Sequence, residues 1–155
     1  DSNVVFTAAL LHDIGKILLC EALDGKVSRL VAETDDYHRS LRDCERLLTG
    51  VDHAELGGRL LARWNFAPCV VAAITYHHDP AAATPHERLA ACVHLGNLVA
   101  HTLGLSAGCQ SLALRGRPEA LTLLGLKAAR WPGLVLDGLA RIQAMRTLVH
   151  ANGET

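Results

Sequence analysis

The chain has 155 residues, of which 50% are hydrophobic and 20% charged, and its net charge is -1 with histidine neutral. That length is typical of one domain with its own core, and the composition excludes an intrinsically disordered chain. The near-zero net charge and an aromatic content of 4% also exclude a generally basic nucleic-acid-binding protein that stacks bases on aromatic side chains.

The first part of the chain has the spacing of hydrophobic residues that is typical of helices. Residues 4–22 are predicted to form one apolar helix that contains the sequence HDIGK. Residues 24–36 are polar and mixed, which favours a turn and a short helix. Residues 38–49 are amphipathic and stop at Gly50, a residue type that commonly ends helices.

The middle of the chain has clearer signals for helix starts. Asp52 is followed by Glu55, a pattern typical of an N-cap, and it predicts a helix through about Trp64. Pro68 suits the first turn of a second helix that runs to about His77.

The last part of the chain is also predicted to be helical. Residues 84–87 read Thr-Pro-His-Glu, which resembles a capping box with proline in the first helical position, and they predict a long helix to about Leu103. Pro118 and Pro132 are predicted to start two further helices, with a loop over residues 105–117. The prediction is therefore an all-α fold.

Domain organisation and location follow from what the sequence contains. We expect residues 1–150 to form a single helical domain that lacks upstream helices, because the chain has no initiator methionine and opens close to an apolar helix. No uninterrupted apolar run of about 18 residues is found, so no membrane-spanning helix is predicted. The odd number of cysteines without a CxxC pair is typical of reduced thiols in a cytosolic protein.

Histidines beside hydrophobic runs are the main candidates for chemistry. His12 and Asp13, His53, and the pair His77 and His78 fall on three predicted helices. Imidazole and carboxylate groups suit a divalent ion such as Mn, Fe, Zn or Mg. Bringing these groups into an apolar interior costs several kcal/mol unless they are paired or ligated. The sequence leaves open whether a metal or a closed hydrogen-bond network would compensate them.

Five segments, taken in order, carry a family resemblance. They are AALLHDIGK at 8–16, DHAELG at 52–57, LLARW at 60–64, AITYHHDP at 73–80 and VHLGNLVA at 93–100. In order and spacing they resemble the HDOD domain, a member of the HD superfamily that is related to HD-GYP enzymes and HD phosphohydrolases.

The resemblance implies an all-α HD-superfamily helical bundle, a bacterial signal-transduction role and a cytoplasmic location. Catalytic HD proteins are metal-dependent phosphohydrolases, so the resemblance implies a set of metal ligands, namely His12, Asp13, His53, His77 and His78. By the same resemblance, Asp13 and Lys16 are the catalytic candidates. Lys16 lies three residues after Asp13 on the same helix face, where it could hold a phosphate or simply pair with Asp13.

Three features differ from the pattern of the catalytic superfamily members. No histidine precedes His12, and Asn97 stands where the late aspartate of the superfamily aligns. His78 is followed by Asp79 and Pro80 rather than by a Gly-Tyr-Pro segment, which argues against hydrolysis of cyclic dinucleotides of the HD-GYP kind.

A stripe on the predicted 84–103 helix adds to the candidate site. His94, Asn97 and His101 recur at positions i, i+3 and i+7 and therefore share one helix face. They could act as hydrogen-bond donors that support the metal ligands, or as substitute ligands, or the stripe could simply face solvent.

Two functional hypotheses remain open from the sequence. The first is a regulatory HDOD domain that acts by protein–protein contact or self-association and keeps a retained or vestigial metal site. The second is a metal-dependent phosphohydrolase acting on a nucleotide or another phosphate ester. We expect no membrane partner and no nucleic-acid partner, and a phosphate-containing ligand belongs to the second hypothesis.

Overall fold

The computed structural model describes residues 1–23, 40–105 and 116–152. Within these ranges the protein is helical and has no strand, which confirms the predicted all-α fold. The turn and short helix predicted over residues 24–36 lie outside the described residues. So does most of the loop predicted over 105–117.

Eight α-helices and two short 3₁₀ helices make up the described part of the chain. The α-helices are α1 (Ser2–Leu11), α2 (Gly15–Ala22), α3 (Leu41–Thr49), α4 (His53–Arg63), α5 (Pro68–Thr75), α6 (Glu87–Thr102), α7 (Glu119–Leu123) and α8 (Trp131–Asn152). The 3₁₀ helices are Pro80–Ala82 and Ala128–Arg130.

The single helix predicted over residues 4–22 is wrong in one respect, because a turn at residues 12–14 divides it into α1 and α2. The carbonyl of Ala9 accepts a hydrogen bond from the His12 ring at 2.8 Å. In a regular helix that carbonyl accepts from the amide four residues later. The amide of Ile14 instead bonds to Leu11, three residues back, at 3.0 Å. The side chain therefore competes with the helical hydrogen bonds at this point.

The predicted end of α3 and the predicted bounds of α4 are confirmed, whereas α3, predicted from residue 38, begins at Leu41 after the cap residue Ser40. Ser40 caps α3 through a full capping box with Asp43. Gly50 ends the helix with φ +82°, in the left-handed region that favours glycine. Asp52 caps α4 by accepting a hydrogen bond from the amide of Glu55 at 2.8 Å.

The helices α5, α7 and α8 begin within one residue of the predicted prolines Pro68, Pro118 and Pro132, but the start of α6 differs from the prediction. The N-cap of α6 is His86, so the capping box predicted to begin at Thr84 is wrong. The Thr84 hydroxyl instead donates to the carboxylate of Glu87 at 2.7 Å. That carboxylate is therefore held by a side chain rather than by the cap amide.

Three hydrophobic clusters hold the helices together. The largest joins α1, α5 and α6 around the fully buried Ile74, Leu61 from α4 and Ala8 from α1. A second cluster packs α2 against α3 through Leu19 and Cys44. The third lies between α6, α7 and the start of α8. The first two clusters flank the turn that carries His12 and Asp13.

The contact between α2 and α4 is closer than ordinary helix packing. A Cβ atom placed on Gly15 would lie 2.0 Å from the carbonyl oxygen of His53 and 2.7 Å from the amide nitrogen of Gly57. Only glycine leaves room for the two backbones to touch here. This contact fixes the distance between the His12–Asp13 turn and the start of α4.

The segment Ser2–Ala22 is long and apolar enough to cross a membrane by length and composition, with a mean hydropathy of 1.5 over its best window. Such a result is weak evidence, because core helices of soluble proteins pass the same test. The segment also carries His12, Asp13 and Lys16 between its apolar residues. The prediction that no helix of this chain spans a membrane therefore stays a prediction.

We predict that Gly15→Ala destabilises the protein by at least about 1–3 kcal/mol, the usual effect of overpacking, because the new methyl group meets backbone atoms that cannot rotate away. Gly96→Ala is the matched control, since nothing lies within 4 Å of its added Cβ in the middle of α6. That control is expected to stabilise by about 0.5–1 kcal/mol. Urea denaturation of both variants measures the difference, and equal effects would contradict the close α2–α4 contact.

Candidate metal centre

The turn between α1 and α2 supplies the first two groups of the site. The Nδ1–H of His12 donates to the carbonyl of Ala9, which leaves Nε2 facing the carboxylate of Asp13 at 3.3 Å. Asp13 is 34% exposed, whereas the His12 side chain is 18% exposed. The turn therefore places one imidazole and one carboxylate side by side, with the carboxylate nearer to solvent.

The first residue of α4 supplies the third group. His53 is buried, and its Nδ1–H donates to the carboxylate of Glu45 at 2.6 Å. Its Nε2 lies 3.4 Å from Oδ1 of Asp13. The carboxylate of Asp13 thus lies between His12 and His53, two histidines that are far apart along the chain.

The residues just after α5 supply the last two groups. His77 is fully buried, and its Nδ1–H donates to the carbonyl of Ile74 at 2.7 Å. The His77 ring centre lies 4.0 Å from that of His78 and 5.0 Å from that of His12. Nε2 of His78 lies 2.9 Å from Nε2 of His53. The structure therefore brings all five predicted ligands together.

Two overlapping groups of these residues could hold a metal ion. One contains His53, His77 and His78, and the other contains His12, Asp13 and His77; within each group the ligand atoms lie within 4.8 Å of one another. His77 belongs to both groups. Its Nε2, like Oδ1 of Asp13, has no hydrogen-bond partner among the described residues. A buried polar atom of this kind requires an explanation, and a bound cation is one.

The protonation states of the site suit a cation. Burial and the nearby His53 and His12 lower the pKa of His77 to about 3. Burial, with the neighbouring His77 and His53, also lowers the pKa of His78 well below its usual range. Both rings are therefore neutral near pH 7, which is the form that ligates metals.

The pKa values of His12 and Asp13 are shifted away from each other, that of His12 upwards and that of Asp13 downwards. Burial alone would raise the pKa of Asp13, but the hydrogen bond and charge of His12 and the charge of Lys16 outweigh it and hold that pKa well below its usual range. Burial would likewise lower the pKa of His12, and the nearby carboxylate of Asp13 outweighs burial and raises it. Asp13 is thus an anion, and its charge is available to a cation in the site.

Lys16 closes the exposed side of the site. Its Nζ donates to Oδ2 of Asp13 at 2.7 Å, and its side chain is 38% exposed. The structure therefore shows the salt bridge that the sequence left as one of two roles for Lys16. The other oxygen of Asp13 remains directed towards the histidines.

Glu45 is a residue of the site that the sequence predictions missed. It is 2% exposed, and one of its oxygens accepts from both the backbone amide and the ring of His53. A signal was present, because Glu45 lies on the same helix face as the hydrophobic residues Leu41, Cys44 and Leu48. A charged residue on a buried stripe indicates a partner across the helix interface.

Asp52 caps α4 and also binds two arginines of α3. It is fully buried and accepts hydrogen bonds from the guanidinium groups of Arg42 and Arg46 on α3. Burial alone would raise the pKa of Asp52, but Arg42 and the amide of Glu55 outweigh it and lower that pKa. These bonds fix α3 against the start of α4, next to His53.

The structure explains only part of the stripe on α6 that was predicted to support or replace the metal ligands. His94 is 2% exposed, so the alternative that the stripe faces solvent is wrong at this position. Its Nδ1–H donates to the carbonyl of His77 at 2.8 Å, and its Nε2 accepts from the amide of Arg117 at 3.0 Å. With both nitrogens occupied, His94 supports the backbone of His77 rather than substituting as a ligand.

The other two residues of the stripe are half-buried on α6. His101 belongs to neither of the two groups that could hold a metal ion among the described residues. That Asn97 and His101 support or replace the metal ligands stays a prediction.

An all-helical domain with paired histidine and aspartate residues in a helix turn, and further histidines gathered around them, is the pattern of the HD superfamily. Residues 1–80 match the HDOD domain, and the chain therefore belongs to the HDOD family. This is an HD-like family of regulatory and signalling domains, so the predicted resemblance is confirmed.

One relative among curated proteins adds little about function. An uncharacterized protein of Treponema pallidum (strain Nichols) is 26% identical over 94 residues, which are 60% of this chain and 18% of that protein. The match therefore spans less than a fifth of the relative's length. No solved structure matches the chain significantly.

Proposed function

We propose that this chain is a regulatory HDOD domain that carries a divalent-metal site and acts through protein–protein contact. The observation that carries the metal site is the common orientation of three imidazoles. His12, His53 and His77 each donate Nδ1–H to an acceptor behind the ring and turn Nε2 towards the cluster. Metal-ligating histidines in proteins characteristically have such an acceptor on the second ring nitrogen.

The donor set fits a divalent transition metal. Imidazole nitrogens from His12, His53, His77 and His78 and one carboxylate from Asp13 favour Mn, Fe or Zn over Mg, which prefers oxygen donors. A closed hydrogen-bond network explains the cluster less well, since Nε2 of His77 and Oδ1 of Asp13 have no partner among the described residues.

Exposed hydrophobic side chains support the protein-contact part of the proposal. Phe6, Leu10 and Ile17 on α1 and α2 are 67%, 69% and 68% exposed. Large contiguous apolar surfaces commonly mark interaction sites. A partner that contacts these side chains would lie on the two helices that flank His12 and Asp13, which would couple binding of the partner to the metal site.

A metal-dependent phosphohydrolase is the second candidate, and the position of Lys16 favours it. The half-buried Lys16 and the partly exposed Asp13 lie at the solvent side of the histidine cluster, where a phosphate ester could enter. A bound divalent ion would supply charge stabilisation and would lower the pKa of water. Lys16 would bind a phosphate oxygen. Asp13 would hold both the ion and Lys16 in position.

The metal site predicts that wild-type protein, purified after Mn²⁺ supplementation and desalting, retains metal by mass spectrometry. His77→Gln should lower the amount of retained metal, because His77 belongs to both candidate ligand groups. The loss of metal affinity should exceed the roughly 10–100-fold that is typical of changes around a metal ligand. His86→Gln is the matched control, since His86 belongs to neither group. Metal-free wild type after supplementation with Mn, Fe and Zn in turn would contradict the metal site.

The protein-contact proposal predicts self-association or capture of a protein partner. Each large apolar side chain that becomes buried contributes about 1.5–3 kcal/mol. The double substitution Leu10→Ser with Ile17→Ser should therefore weaken association at least tenfold in sedimentation velocity or pull-down experiments. Leu136→Ser, at a 65% exposed position of α8, is the control. A monomer at every concentration that also captures no partner is the contrary result.

The hydrolase candidate predicts Mn²⁺-dependent turnover of a generic phosphodiester or of nucleotides. Asp13→Ala should abolish the turnover, and Lys16→Ala should raise KM severalfold with a smaller effect on kcat, because the cation is lost from the entrance. Arg63→Ala, at the end of α4, is the control for loss of a positive charge. A metal-loaded wild type that turns over none of these substrates eliminates this candidate and leaves the regulatory proposal in place.

A further inference from the structure

We propose that Glu45 is the residue that positions His53 for metal binding, an inference that deepens the proposed metal site and rests on it. Glu45 projects from α3 and its carboxylate is almost fully buried. Oε2 accepts from the ring Nδ1–H of His53 at 2.6 Å and from the backbone amide of His53 at 3.0 Å. One oxygen atom therefore fixes the ring of His53 relative to its own backbone.

The contact also selects one tautomer of His53. A carboxylate oxygen only accepts hydrogen bonds, so Nδ1 of His53 must carry the proton. In the neutral ring, Nε2 then presents a lone pair. That atom lies 2.9 Å from Nε2 of His78 and 3.4 Å from Oδ1 of Asp13. Glu45 thus directs the ligating nitrogen of His53 into the cluster.

The charges around Glu45 indicate that its carboxylate serves His53 rather than a salt bridge with a neighbouring arginine. Arg42 and Arg46 project from the same helix, but both bond to Asp52. Within residues 1–23, 40–105 and 116–152, His53 is the ion-pair partner that the structure gives Glu45. A buried anion is costly without a compensating charge. A cation bound to Nε2 of His53 would compensate it through the imidazole.

The chemical effect is that of a carboxylate–histidine–metal arrangement. A carboxylate behind the ring increases the basicity of the ligating nitrogen and holds the ring in place, and its loss usually lowers metal affinity roughly 10–100-fold. Ala9 and Ile74 supply neutral carbonyls behind His12 and His77. Glu45 is therefore the one charged acceptor behind a site histidine among the described residues.

The test compares Mn²⁺ affinity in two matched variants, measured on metal-stripped protein from the electron paramagnetic resonance signal of free Mn²⁺. Mn²⁺ is chosen because thiolates bind it poorly, and Cys20 is exposed. Glu45→Gln should lose roughly 10–100-fold in affinity. The matched control is Glu55→Gln. It removes a carboxylate from the solvent side of the first turn of α4, where Glu55 pairs with Arg59 and Arg46. It should stay within about twofold of wild type.

A second variant and a spectroscopic readout separate positioning from structural support. Glu45→Asp keeps the charge but is one methylene shorter, so it should lose affinity as well. Long-range ¹H–¹⁵N spectra of the metal-stripped wild type should show His53 protonated on Nδ1, and those of Glu45→Gln should show a mixture of tautomers. A merely structural role would lower the melting temperature without changing either quantity in the folded protein.

The outcomes distinguish this inference from the metal proposal itself. Equal Mn²⁺ affinity in wild type and Glu45→Gln overturns the role of Glu45 while leaving the metal site intact. Protonation of His53 on Nε2 in the wild type overturns it even if both Glu45 variants fail to fold. Wild type that binds none of Mn²⁺, Fe²⁺ and Zn²⁺ overturns the proposed metal site, and the tautomer of His53 then still decides whether Glu45 orients the ring.

Discussion

The candidate metal centre depends on the contact of α2 with α4 at Gly15, which places Asp13 beside His53. A side-chain carbon at this position would lie 2.0 Å from the carbonyl oxygen of His53, so the two helices meet backbone to backbone. Asp13 is two residues before Gly15, and its carboxylate reaches Nε2 of His53 because of that approach. An acid and an imidazole forty residues apart in the sequence are thereby neighbours without any linking side chain between them.

The histidines of the cluster are held in two different ways. His12 and His77 each bond to a carbonyl three residues earlier in the chain, so their ring orientation is determined by their own turn. His53 depends on Glu45 from another helix. The orientations of His12 and His77 therefore depend only on neighbouring residues in the sequence. That of His53 is created only when α3 docks on α4 through Asp52 and its two arginines.

This division explains how much could be predicted from the sequence. Helix periodicity and caps are local, so the all-α fold, the Asp52 cap and the helix end at Gly50 were predicted correctly, and the five candidate ligands do converge. The break after Leu11 depends on a ring bonding to Ala9, which helix periodicity does not reveal. The start of α6 was misplaced because the carboxylate of Glu87 bonds to a hydroxyl. The partner of Glu45 lies across a tertiary contact, although its place on a hydrophobic face was a readable sign.

The bonds of His94 bear on where this domain can be divided. The match to the HDOD domain ends at residue 80, but the carbonyl of His77 accepts a hydrogen bond from His94 on α6, and the ring of His94 in turn accepts one from the amide of Arg117. A fragment that ends at residue 80 would leave the carbonyl of His77 without its hydrogen-bond donor. It would also expose the imidazole of His77, which is fully buried in the structure. The contacts that support His77 thus extend beyond the residues by which the protein is classified.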